Sequence, residues 1–198
     1  MSIEQRAAAP PTRRQDVVEN IHGQEIRDPY RWLEDESSAE VAEWTAAQNA
    51  YTREALGAVP GREWVRRRLE QLLSTGTVTA PVVRGERHFY TRREGTQDQP
   101  VLLLRRGASG PEQVLLDPNK ASEAGTVALD WWYPSWDGRL LAYGYSEHGD
   151  EKSTLYLLDV DTGTLLPDAI PHTRYASVAW EPDNAGFYYT RYPAPGSV

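Results

Sequence analysis

Hydrophobic positions in this chain change period near residue 77. Before that point the apolar residues fall at helical spacing; after it they alternate in short runs. Val41, Trp44, Gln48, Tyr51 and Ala55 follow a 3-4-4 spacing, which places them on one face of a helix. Ser37-Ser38-Ala39-Glu40 fits a capping box with Ser37 as N-cap, and Gly57 can end the helix. Pro60-Gly61 restarts the chain. A second helix is predicted over 62–74, with Val65, Leu69, Leu72 and Leu73 as its buried stripe and Arg66, Arg67 and Arg68 as a solvated face. Residues 1 to about 15 carry no period and little to bury, and read as a mobile arm. Residues 16–23 read as an extended piece, and Asp28-Pro29 as a turn.

From Thr77 on, period-two runs are split by Gly, Pro, Asp and Asn, which is the pattern of short strands joined by tight turns. Strands are predicted at 82–83, 88–93, 101–105 and 113–116, then at 127–133, 140–146, 154–159 and 164–166. A third set begins at 176–180 and 187–191. The sets look alike. Trp136 and Trp180 are 44 residues apart, and Tyr143 and Tyr189 are 46 apart. A repeat of about 40–50 residues with four strands each predicts blades of a β-propeller. A single blade cannot cover both of its faces, so blades must stack on neighbours. The chain holds about two and a half of them, whereas a propeller needs at least about four to close. The expectation is therefore the N-terminal part of a longer chain, α+β in this portion. Residues 1–76 form the helical segment and 77–198 the first, incomplete run of blades.

Composition narrows the partners. With 29 acidic against 21 basic residues the net charge is −8, which argues against nucleic acid and anionic membrane as partners. No run of about 18 apolar residues exists, and the first 25 residues lack the apolar stretch of a secretory signal, so a cytoplasmic location is expected. The absence of cysteine removes disulfides, zinc-thiolate sites and cysteine nucleophiles together.

Candidate chemistry is sparse. Gly107-Ala108-Ser109-Gly110 comes nearest to a nucleophile elbow, but it lacks the final glycine and sits between two strands, so it reads as a hairpin turn. His22, His88, His148 and His172 show no metal-ligand spacing, so a metal cluster is not expected. Glu34, Asp35 and Glu36 precede a helix, where negative charge is favourable, and read as structural. Asp150-Glu151 reads as an exposed hairpin.

The most distinctive stretch, Asp28-Pro29-Tyr30-Arg31-Trp32-Leu33-Glu34-Asp35, together with Gln48-Asn49, the Val114–Asn119 segment, Ser135–Glu151 and Trp180–Pro193, resembles the N-terminal portion of the prolyl oligopeptidase family. The resemblance runs from about Asp16 onward. It implies an α/β-hydrolase peptidase domain joined to a seven-bladed propeller, with the helical segment 1–76 belonging to the peptidase domain. It also implies a serine endopeptidase without cofactor that cleaves peptides after proline, the propeller gating access. The Ser-Asp-His triad would lie downstream, so no catalytic residue is carried onto this chain, and the chain alone would be inactive. Proline-containing peptides and the rest of the peptidase domain are the implied partners, with a monomer as the whole protein. One substrate contact is implied: an aromatic five positions before the blade-three tryptophan lines a subsite, here Tyr175 before Trp180. Where the family has phenylalanine, the Tyr175 hydroxyl is a departure. Two rivals remain at this point, an oligopeptidase B-like enzyme cleaving after Lys or Arg and a non-enzymatic propeller that binds proteins.

Overall fold

The computed structural model describes residues 8–194 and residue 196. Residues 1–7 of the expected arm lie outside them. The chain divides into two compact units, 1–70 and 71–198.

The first unit begins with a segment, 8–17, that has no regular secondary structure. It is not free: the Gln15 N–H donates to the Pro29 carbonyl at 2.9 Å, and the Asp28 N–H to that of Val17 at 3.0 Å. A hairpin follows, β1 (Val18–Ile21) against β2 (Gln24–Arg27), where the sequence suggested a single extended piece. His22 and Gly23 both take positive φ in its turn, and the Asn20 side chain accepts the Gly23 N–H at 2.9 Å. Asp28 turns the chain by accepting the Tyr30 N–H, and a single 3₁₀ turn spans Arg31–Glu34. Arg31 binds Glu19 through two hydrogen bonds and Asp28 through a third. Both carboxyls are thereby held below their usual range, chiefly by those hydrogen bonds.

Helix α1 covers Ala39–Gly57. Its five half-buried positions are Val41, Trp44, Gln48, Tyr51 and Ala55, the stripe expected from spacing. The capping box does not form. Ser38 is the N-cap and makes no side-chain cap hydrogen bond, while Ser37 donates to Asp35 at 2.7 Å. Glu40 cannot reach back because Arg13 holds both of its oxygens, at 2.5 and 2.8 Å. Helix α2 covers Arg62–Leu73. Its expected stripe is not buried: Val65, Leu69, Leu72 and Leu73 are 46%, 50%, 53% and 63% exposed, and Trp64 is 66% exposed. No residue of α2 reaches burial among the described residues. Arg66 pairs with Glu63 and Glu70 on the same helix, as a solvated face should.

The second unit is built of antiparallel sheets. Blade one contains β3 (Thr77–Val78), β4 (Val82–Arg84), β5 (Arg87–Arg93), β6 (Val101–Arg106) and β7 (Glu112–Leu116). The short strands β3 and β4 share β5 as partner, at its far and near ends. A short helical turn, α3 (Pro118–Ala121), capped by Asp117, leads to blade two. Blade two runs β8 (Val127–Pro134), β9 (Leu140–Glu147), β10 (Thr154–Asp159) and β11 (Thr164–Ile170), each paired with the next. Strands β12 (Val178–Trp180) and β13 (Phe187–Tyr189) open blade three.

Blade two packs against a neighbour on both faces. Leu141, Tyr143, Leu158 and Val160 meet Phe89, Leu102, Leu104 and Leu116 of blade one. On the other face Ala142, Leu155 and Leu157 meet Val178 and Trp180 of blade three. Consecutive residues of β9 thus serve opposite neighbours, as strand geometry requires. The turns interlock as well. Arg84 stacks over Trp136 at 4.8 Å, and Asp161 accepts two hydrogen bonds from Arg87 and one from Arg106. Gly138, at φ +69°, leaves no room for a side chain, since a Cβ there would meet Arg87 at 2.9 Å and Arg84 at 3.1 Å.

The repeat is 46 residues. The Ser135 N–H bonds the Leu140 carbonyl and the Gly138 N–H that of Ser135; the same pair of bonds recurs 46 residues on, at 181 with 186 and at 184 with 181. Trp136 and Trp180 are therefore not equivalent positions. They touch instead: the Trp136 indole donates to the Trp180 carbonyl, and the Trp180 indole to that of Tyr133, each at 3.0 Å.

Candidate functional site

The residue singled out by resemblance, Tyr175, lies in the loop between β11 and β12. The residue is 66% exposed and its backbone takes a positive φ of 52°. A non-glycine residue holds that conformation only where its surroundings fix it. Three contacts do so. Tyr175 donates its hydroxyl to Glu151 Oε2 at 2.6 Å. The Arg174 guanidinium sits over the Tyr175 ring at 4.9 Å and also binds Glu151. Glu151, itself at φ 56°, comes from the β9–β10 loop inside blade two, so that hairpin meets the connection from blade two to blade three here. The Tyr175 hydrogen bond, then that of Arg174, holds the Glu151 carboxyl below its usual range.

Beneath the exposed triplet the loop is anchored by buried groups. The Thr173 N–H and hydroxyl both donate to the Ser153 carbonyl, at 3.0 and 2.9 Å. The Thr173 carbonyl accepts the Trp131 indole N–H at 3.2 Å. Trp131 in turn lies on Gly144, its cross-strand partner; a Cβ on Gly144 would come within 2.4–2.6 Å of the indole. A bulge in β8 leaves Asp130 as the extra residue. Its carboxylate accepts the hydroxyls of Ser146 and Ser153, tying the β9–β10 loop to β8. What the arrangement offers is an exposed aromatic face beside a carboxylate already paired with an arginine. It can bind and orient, but it holds no nucleophile with a base.

The other candidates are not brought together. Ser109 falls in the β6–β7 turn. His22 is in the first hairpin turn, His88 pairs with Arg105 across β5 and β6, and His148 and His172 occupy separate loops. Among the described residues no group of three or more His, Cys, Asp or Glu could hold a metal ion. Asp35 caps Ser37, which fits the structural reading of the 34–36 acidic run. Sequence reasoning took Asp150-Glu151 as an exposed hairpin, which it is, but did not find the partners of Glu151 and passed over Arg174. Glu151 and Tyr175 are 24 positions apart and share no period, so only the folded course of the two loops discloses the pair.

Blades of four antiparallel strands, stacked face to face and locked at their turns, define a β-propeller architecture. The family model for the prolyl oligopeptidase N-terminal β-propeller domain matches residues 10–198, and the chain belongs to that family. A prolyl endopeptidase of Elizabethkingia meningoseptica is 31% identical over 96% of this chain and 27% of its own length. A prolyl oligopeptidase A of Amanita bisporigera is 29% identical, over 96% and 28%. A solved prolyl endopeptidase matches at 43% identity with a TM-score of 0.84, over 96% of this chain and 28% of that one. Prolyl oligopeptidase B of Galerina marginata, solved with a bound 35-residue substrate, matches at 26% identity and TM-score 0.76, over 94% and 30%. The chain thus spans under a third of the length of these relatives. No helix among the described residues is long and apolar enough to cross a membrane.

Proposed function

We propose that this chain is the N-terminal part of a cytoplasmic, monomeric serine endopeptidase that hydrolyses short peptides on the C-terminal side of proline. The observation that carries the reading is the 43% identity, at TM-score 0.84 over 96% of the chain, to a solved prolyl endopeptidase. In it, residues 77–198 are the first blades of a propeller that gates substrate access. Residues 1–76 belong to the peptidase domain. The apolar stripe of α2 supports that assignment, because exposed Trp64, Leu69, Leu72 and Leu73 are the surface a missing partner would bury. The Ser-Asp-His triad that performs acyl transfer lies outside the chain. No cofactor takes part.

Tyr175 lines a substrate subsite in this reading, presenting its ring to an apolar side chain or proline of the peptide. The exposed ring and its two-sided bracing by Glu151 and Arg174 support that role. A serine-directed fluorophosphonate should label the whole enzyme and leave residues 1–198 alone unlabelled; specific labelling of 1–198 sinks the reading. In the whole enzyme, Tyr175→Ala should raise KM for a proline peptide by about tenfold, the equivalent of ~1.4 kcal/mol, within reach of one aromatic contact. An unchanged KM removes Tyr175 from the subsite.

A further inference from the structure

We propose that Trp32, Trp44 and Gln48 form a recognition site for an extended peptide of the pattern Pro-Pro-x-Arg, occupied in this chain by its own residues Pro10–Arg13. Pro10 and Pro11 fix their own φ, and each proline drives the residue before it, Ala9 and Pro10, into extended backbone. An extended proline-rich strand has three residues per turn, so carbonyls three apart point to the same side. Pro10 and Arg13 are three apart, and both carbonyls are read by side chains of one surface. Gln48 Nε2 donates to the Pro10 carbonyl at 3.1 Å, and Trp32 Nε1 to that of Arg13 at 2.9 Å. Between them Trp44 Nε1 donates to the Thr12 hydroxyl at 3.0 Å.

The reading surface is made without the arm. Trp44 and Gln48 are one turn apart on α1, and Trp32 comes from the 3₁₀ turn, its ring set edge-on to Trp44 at 6.3 Å. All three donors are side chains, while the helix uses its own backbone groups internally. Aromatic rings with outward N–H donors are the means by which proline-rich ligands, which have few donors themselves, are held. Specificity for arginine comes from two further groups. The Arg13 guanidinium lies over the Trp32 ring at 4.8 Å and forks onto both oxygens of Glu40. Lysine cannot reproduce the fork. The arm is joined to the site by its own chain, so its effective concentration there is of order millimolar. A free peptide at micromolar concentration enters only when that internal ligand is weakened.

The test uses the whole chain and the synthetic peptide Ala-Ala-Pro-Pro-Thr-Arg-Arg-Gln, residues 8–15. Binding is read from the indole N–H resonances of Trp32 and Trp44. Wild-type chain should show no shift of either signal at roughly 100 μM peptide, because the site is filled at the higher effective concentration. Arg13→Glu repels its own arm from Glu40, and that chain should bind the peptide saturably, with both indoles shifting. A peptide with alanine in place of both prolines should bind about tenfold more weakly, since it must be ordered on binding. Should Arg13→Glu perturb folding, judged by circular dichroism, Arg13→Lys keeps the charge, loses the fork, and should admit the peptide at lower affinity. The proposal is overturned if the alanine peptide binds as well as the proline one, which would leave a simple charge contact. It is equally overturned if neither variant binds the peptide at millimolar concentration, or if releasing the arm leaves both indole signals where they were.

Discussion

Gly144→Ala places a methyl group where the Trp131 indole now lies. The added Cβ would be 2.4 Å from the ring, well inside contact distance, and the three atoms nearest to it all belong to the same indole. Backbone strain is not at issue, because Gly144 takes no positive φ. The ring must therefore move. Forcing an extra methyl into a packed site costs about 1–3 kcal/mol. A displaced ring also surrenders the hydrogen bond from Trp131 to the Thr173 carbonyl, worth about 0.5–1.5 kcal/mol. Together the expected loss is about 2–4 kcal/mol. Urea unfolding followed by tryptophan fluorescence reads it as a midpoint lowered by roughly 1–2 M, for a slope near 2 kcal/mol per molar. A double-mutant cycle isolates the cause. With Trp131→Ala already in place, the same methyl should cost less than about 0.5 kcal/mol. If Gly144→Ala costs the same in both backgrounds, the contact is not what requires glycine there, and the account is wrong. Thr173 lies two residues before Tyr175, so the variant should also loosen the Tyr175 loop.

Two more expectations concern the loops. The Glu151 carboxyl is held below its ordinary value of 4.5. A depressed carboxyl contributes stability above its unfolded value and loses it as pH falls through the folded one. The Tyr175–Glu151 contact should thus persist at pH 5–7 and open only below about 4.5; a carbon-13 NMR titration of Glu151 with its midpoint at or above 4.5 contradicts this. Asp161→Asn removes the charge that Arg87 and Arg106 share between blades one and two. Both Asp161 and Arg106 are substantially exposed, so the loss should be about 1 kcal/mol at low salt and shrink in 0.5 M salt; equal stability of variant and wild type in low salt would show the pair to be idle.

Much of the architecture was legible because it follows short periods. The α1 stripe repeats every three or four residues, and period-two runs bounded by turn residues placed the longer strands of both full blades. The two-residue strand β3 and the hairpin β1–β2 escaped, being too short or too mixed to show a period. The α1 cap was misplaced because Glu40 answers to Arg13, 27 residues earlier, rather than to Ser37. Matching Trp136 to Trp180 shifted the repeat by two, since residue identity drew the eye where turn geometry fixes the register. The α2 leucines were expected inside because an apolar stripe usually is. Of the candidate site, Tyr175 was legible only through family resemblance; its neighbour Arg174 was passed over, and Glu151, 24 positions earlier, is brought to it only by the folded course of the β9–β10 hairpin.

The arm on α1 has a consequence for synthesis. Pro10 leaves the ribosome 38 residues before Gln48, which binds it. At roughly 5–20 residues per second, the arm waits about 2–8 s before its last donor exists. The earliest-made described residues of the unit are therefore among the last to be fixed. During that interval a proline-rich strand with Arg13 and Arg14 is on offer to any nascent helix that presents indoles and a carboxylate, including α1 of a neighbouring chain on the same messenger.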